Sequence, residues 1–225
     1  MHEIVDTTPA ADWTFLAPNW AKVVRKWRWK VRTWPSARCT RIVVVFGSMA
    51  IVAMYTMQLL ADLMTVRRVL GKLETLRYAW IGDGNNMAAS WIEAAGLLGF
   101  ELSLSCPTGY DPDPRALEDA GSRVRLVRDP RAPVEGADVV STDVFASMGQ
   151  EAEHRARLSA FSGHRVTREL VALASPQVVV LHCLPAHRGE EIDADVLEGP
   201  RSFVWDQAEA RLHTAKAALV WATET

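Results

Sequence analysis

The segment His182-Cys183-Leu184-Pro185-Ala186-His187-Arg188-Gly189-Glu190-Glu191 directly follows the β-branched run Val178-Val179-Val180. Such a run reads as a buried strand. A thiol, two imidazoles and a proline therefore sit where a strand ends and a loop begins, the edge at which open α/β sheets collect ligands. A lone cysteine there is most often a buried structural thiol, but two other segments change that reading. In Trp80-Ile81-Gly82-Asp83-Gly84-Asn85-Asn86-Met87-Ala88, asparagines lie between a strand and a helix start, where backbone N–H groups and a side-chain amide can hold a carboxylate. In Asp143-Val144-Phe145-Ala146-Ser147-Met148-Gly149, a carboxylate closes a short strand and can take charge-assisted hydrogen bonds from an ammonium group. The chemistry suggested is a grip on both charged ends of an amino acid.

The glycine pair is an incomplete dinucleotide fingerprint. Met87 stands where the third glycine of GxGxxG would be, and no ribose-binding acid follows convincingly, so a nicotinamide cofactor is not expected. Asn86 has an alternative role as a helix cap.

The elements that must position these groups alternate. Leu59, Leu60, Leu63, Val66, Val69 and Leu70 repeat at helical spacing up to Gly71. Strands are predicted at Tyr78–Ile81, Glu101–Ser105, Val124–Val127, Asp138–Ser141, Val178–Leu181 and Phe203–Trp205. Helices are predicted at Asn86–Leu98, Pro112–Ala120, about Glu151–Ala160, Thr167–Leu173 and about Glu209–Ala222. Strand–helix alternation implies an α/β fold, a Rossmann-like parallel sheet with helices on both faces. An irregular or helical N-terminal segment precedes it.

A net charge of −2 offers no global attraction to nucleic acid. Three scattered cysteines, Cys39, Cys106 and Cys183, argue for reduced thiols in a cytoplasmic setting, and the lack of a spaced Cys/His cluster argues against a metal site. Residues 22–41 are rich in Lys and Arg, carry no acid and interleave Trp27, Trp29 and Trp34. They read as a solvated basic arm, with a nucleic-acid or anionic-membrane patch as the alternative. The stretch Ile42–Ala61 is free of charge, and a bilayer span there stays open as an alternative. Gly47, Ser48, Tyr55, Thr56 and Gln58 dilute it.

The Gly82–Asn86, Asp143–Gly149, His182–Pro185 and Asp206–Arg211 motifs, in that order, make the chain resemble ornithine carbamoyltransferase, specifically its second, ornithine-binding domain. The resemblance covers about residue 57 to the C-terminus. It implies attack of the neutral ornithine δ-amine on the carbamoyl carbon of carbamoyl phosphate, giving citrulline and phosphate, with no cofactor and no metal. It implies that Asn86, Asp143, Ser147 and Met148 hold ornithine, while Gln58, Cys183, Leu184 and Arg211 hold the carbamoyl group. Cys183, Arg211 and Asp143 form its catalytic set. Arg211 stabilises charge developing on the carbamoyl oxygen, and Cys183 positions the amine rather than attacking. Phe145 stands where the family usually has tryptophan. The family is trimeric, so a homo-oligomer is an expectation.

The resemblance weakens before residue 57. The family's linker His-Pro-x-Gln is represented only by Gln58, in Tyr55-Thr56-Met57-Gln58. Pro35-Ser36-Ala37-Arg38-Cys39-Thr40-Arg41 echoes its phosphate loop with one residue inserted, a change that rotates later side chains by about 100°. Residues 1–56 are too few for a second parallel-sheet domain. The expectation is a rearranged segment 1–56 before an ornithine-binding domain 57–225, with little transferase activity alone and a carbamoyl half contributed by another chain.

Overall fold

The computed structural model describes residues 40–146 and 153–224, with side chains over 55–146 and 153–220. Residues 42–225 form one compact unit. The first described element is a long helix, α1 (Thr40–Leu70). Gly71 ends it with a left-handed φ of 74° and an N–H donated to Arg67 O. The expected boundary at residues 56–57 falls inside this helix. From Gln58 onward α1 is packed into protein, with Leu59, Ala61, Leu63 and Val66 buried. Among the described residues no helix is long and apolar enough to cross a membrane.

Five parallel strands follow: β1 (Arg77–Ile81), β2 (Glu101–Ser105), β3 (Val124–Val127), β4 (Val139–Thr142) and β5 (Val179–His182). Their order across the sheet is β3-β2-β1-β4-β5. The chain builds outward from β1 in one direction and then returns to its other side. The carboxyl ends of β1 and β4 therefore diverge into loops running opposite ways, the topological switch at which such sheets bind ligands.

The connecting helices are α2 (Asn86–Leu98), α3 (Pro114–Ala120), α4 (Arg131–Val134), α5 (His154–Ala160), α6 (Arg168–Val171), α7 (Ala194–Leu197) and α8 (Val204–Glu224). Both sheet faces are covered, which is why β4 and β5 are buried throughout. Pairing puts Ala79 beside Val140 and Val140 beside Val180. This face meets Val134, Leu170, Val196 and Leu197 of α4, α6 and α7. On alternate residues, Tyr78 meets Trp91 of α2 and Phe100, with ring centroids 5.5 and 4.2 Å away. Trp91 and Phe100 are almost wholly buried, and each such side chain stabilises the fold by roughly 2–3 kcal/mol.

Two sequence expectations need correction. Phe203–Trp205 is not a strand. Val180 N donates to Arg201 O and Phe203 N to Val180 O, making a single bridge beside β5, and α8 already begins at Val204. Val204 is buried while Trp205 is 56% exposed, because the first helical turn places successive residues on different sides. The short helices α4 and α7 have no counterpart among the sequence expectations. Four residues each are too few to show a period.

Candidate active site at the carboxyl edge of the sheet

Three loops meet where β1, β4 and β5 end. After β1, Asn85 caps α2, its Oδ1 accepting from Met87 N at 2.9 Å and Ala88 N at 3.1 Å. A cap of this kind contributes about 1 kcal/mol. The same amide turns its Nδ2 outward and donates to Asp143 Oδ2 at 2.8 Å, tying the β1 loop to the β4 loop. Asn86, the asparagine expected to bind ligand, is the first helical residue. Its side chain is exposed and forms no hydrogen bond among the described residues.

Gly84 has a structural reason to be glycine. Its N–H donates to Tyr110 O, and a Cβ would lie 2.2 Å from Pro112 N. The chain's own 110–112 segment crosses at the point where a dinucleotide fingerprint would need room for pyrophosphate.

Asp143 is buried at the end of β4. Its Oδ1 accepts from Val144 N and from the Cys183 thiol, both at 2.8 Å. Burial pushes the Cys183 thiol well above its ordinary value, and the Asp143 charge pushes it further the same way. The sulfur is therefore a neutral S–H donor, not a nucleophile in waiting.

The turn after β5 is fixed from behind. Leu184 N donates to His182 Nδ1 at 2.9 Å, which puts the ring proton on Nε2, facing Glu191 Oε1 at 3.1 Å. Leu184 takes a left-handed φ of 53° ahead of a cis Leu184–Pro185 bond. For a leucine this conformation costs about 1–2 kcal/mol, and the imidazole on its N–H helps hold it. Neither the Cys183 nor the Leu184 carbonyl accepts a hydrogen bond among the described residues.

Helices α1 and α8 close the site. Arg211 Nη1 donates to Gln58 Oε1 at 2.8 Å, and Gln58 Nε2 donates to Asp62 Oδ1 at 2.8 Å. Gln207 Nε2 donates to the same Asp62 oxygen at 2.6 Å, while Gln207 Oε1 accepts from His182 N at 3.1 Å. Burial pushes the Asp62 carboxyl up to about 7, against the opposing pull of Gln58, Gln207 and Arg211. Its Oδ2 is buried with no partner among the described residues. Gln58, Cys183, Leu184, Gln207 and Arg211 share a cavity of about 370 Å³.

Of the residues singled out from sequence, the structure brings Gln58, Cys183, Leu184 and Arg211 to one cavity, with Asp143 bonded to Cys183. Ser147 and Met148 lie outside the described residues. Phe145 is buried and stacked on Phe161 at 4.5 Å. Sequence reasoning missed Asn85, Asp62 and Gln207. Asp62 and Gln207 each lie four residues from an identified partner, Gln58 and Arg211, so helical spacing could have found both. Arg157 was missed as well. It bonds Asp83 Oδ2 at 2.7 Å and Phe145 O at 2.9 Å, bracing the β1 and β4 loops, and no local pattern marks it.

Residues 74–222 match the family model described as aspartate/ornithine carbamoyltransferase, Asp/Orn binding domain. The chain is 57% identical over 166 residues to the ornithine carbamoyltransferase of Geobacter metallireducens, covering 72% of this chain and 55% of that protein. It thus spans about half the length of the curated relatives it matches. Among solved structures, ornithine carbamoyltransferase from Thermus thermophilus is 45% identical, with a TM-score of 0.66 over 72% of this chain and 53% of that one. The enzyme from Pyrococcus furiosus is 44% identical, with a TM-score of 0.69 over 72% and 54%.

Proposed function

The chain belongs to the aspartate/ornithine carbamoyltransferase family, in its Asp/Orn binding domain, and from that premise we propose that its sheet edge forms the ornithine half-site of a carbamoyl transfer. In this reading the Asp143 carboxylate takes the α-ammonium group, and Asn86, Ser147 and Met148 complete the amino-acid grip. The observation in chief support is the junction of Asn85, Asp143 and Cys183 at the switch point, beside a cavity that ends on Arg211.

The carbamoyl group would enter that cavity. Its oxygen meets Arg211 and Gln58, and its amide N–H groups meet the free carbonyls of Cys183 and Leu184. Arg211 is then set to stabilise the oxyanion that forms as the δ-amine attacks carbon. Attack needs the amine uncharged. A neutral Cys183 thiol adds no negative charge that would hold the amine protonated. Holding both reactants in one cavity supplies the remaining advantage as effective concentration. Phosphate leaves, and citrulline forms. No cofactor enters this scheme.

Two unpaired cysteines, Cys106 and Cys183, agree with a cytoplasmic setting. A homo-oligomer follows from the family resemblance alone. Calorimetric titration with ornithine, in the presence and absence of carbamoyl phosphate, tests the assignment alongside a citrulline assay. Saturable ornithine heat that strengthens with carbamoyl phosphate is the expected result. Heat without citrulline would reduce the chain to an amino-acid-binding module, and no heat with either compound would overturn the proposal.

A further inference from the structure

Beyond the sheet edge, the turn after the Cys183 loop brings a second set of groups together. His187, Glu190 and Glu191 each present a ligand atom, and these atoms all lie within 4.8 Å of one another. The spacing His-x-x-Glu-Glu does this because the turn closes on itself. Glu190 N donates to His187 O at 3.0 Å, Gly189 N donates to Ile192 O at 2.8 Å, and Gly189 takes a φ of 88°.

Glu191 makes the cluster more than an exposed acidic patch. Its side chain is completely buried. One oxygen, Oε1, is used twice, by His182 Nε2 at 3.1 Å and by His187 N at 2.5 Å. The other, Oε2, is buried with no hydrogen-bond partner among the described residues and faces His187 Nδ1 at 3.9 Å. A buried carboxylate oxygen without a partner is costly, and a cation beside it removes that cost. On the open side, Glu190 Oε2 pairs with His154 Nε2 of α5 at 2.8 Å. A carboxylate that ligates a metal is ordinarily held by a hydrogen bond of this kind, which fixes its orientation.

We propose that His187, Glu190 and Glu191 form a binding site for a borderline divalent cation of the zinc class, with His154 orienting Glu190. One imidazole and two carboxylates suit such an ion better than calcium or magnesium, which prefer all-oxygen shells. Bond lengths near 2.0–2.1 Å require the three donors to draw in by about 1 Å. His187 is half-exposed and Glu190 partly so, which leaves both free to move. Water completes the shell. The sequence argument against a metal was the lack of spaced Cys/His pairs, which this site does not use, and the resemblance implied only a reaction that needs no metal.

The site is linked to the Cys183 loop. Glu191 holds the metal through Oε2 and His182 through Oε1, and His182 in turn holds Leu184 N. A bound ion therefore stiffens the turn on which the Cys183 and Leu184 carbonyls lie.

The experiment is titration of the full chain with zinc chloride by calorimetry and with cobalt(II) chloride by visible absorption. Expected are one saturable site and ligand-field bands without the near-ultraviolet sulfur-to-cobalt band that Cys183 ligation would give. His187→Ala and Glu190→Gln alter accessible groups and should fold normally by circular dichroism. Each should weaken zinc binding by about tenfold or more. A sulfur band, zinc binding weaker than about 100 µM, or affinity unchanged in His187→Ala would each overturn the proposal, whether or not ornithine binds.

Discussion

Asp62→Asn isolates the buried carboxyl that joins α1 to α8. The substitution is close to isosteric and keeps Oδ1 as acceptor for both Gln58 and Gln207. The ability to ionise is lost, and an amide NH2 replaces the unpartnered Oδ2, a cost that does not vary with pH. The folded-state carboxyl is raised from 3.8 to about 7, chiefly by burial. Below pH 3.8 the acid is protonated in folded and unfolded chains alike. Between 3.8 and about 7 the unfolded chain has released its proton while the folded one retains it, so stability falls as pH rises through this window. Above it the loss is complete. The displacement corresponds to about 4 kcal/mol, an upper value for a group that water can reach once ionised. The amide variant has no such window. Urea denaturation of both proteins at pH 5 and pH 8, followed by tryptophan fluorescence, reads the difference directly because every other titrating group cancels. Part of the loss is already present at pH 5, so relative to the parent, Asp62→Asn should gain roughly 2–3 kcal/mol between the two pH values. That equals roughly 4–12 °C in Tm for a chain of this size. A parent–variant difference that is the same at both pH values would refute the reasoning, since it would mean that Asp62 is already ionised at pH 5.

Three further outcomes follow from the same geometry. Asp143→Asn removes the negative charge next to the Cys183 sulfur, so the thiol should ionise more readily. Iodoacetamide modification at pH 8, mapped to Cys183 by mass spectrometry, should accelerate several-fold over a slow parent rate. Arg157→Met leaves Asp83 without its ion-pair partner in a largely buried place and should cost about 3–5 kcal/mol in denaturant unfolding. Gly84→Ala forces a methyl against Pro112 N and should cost about 1–3 kcal/mol or displace the 110–112 segment, visible as a lowered Tm.

The alternation of apolar runs with helical periods was enough to specify a parallel α/β sheet, because strands buried on both faces must be apolar throughout. The runs Tyr78–Ile81 and Val178–Leu181 lie within one residue of the observed strands. Boundaries failed where a tertiary contact outweighed local pattern. Phe203–Trp205 looks like a strand, but the one bridge beside it, Ser202 with Val180, is followed almost at once by a helix packed on β5. In the site, residue types with their own chemistry were legible: the cysteine, the strand-end aspartate, the arginine. Their supports were not. Asn85 and Asn86 are equivalent on paper, and only the helix start decides that Asn85 caps α2 and reaches Asp143 while Asn86 faces solvent.

Taken alone, the order of residues determined the five strands, the longer helices and the loops that hold reactive groups, since periodicity, capping and turn preference are local properties. The tertiary structure decided what each of those groups is. Burial made Cys183 a neutral donor and Asp62 a reluctant acid, and packing of α1 against α8 gave Arg211 its place. Desolvation and distant charge depend on neighbours up to 153 positions away in the chain, as Gln58 and Arg211 are, and no local reading of sequence contains them.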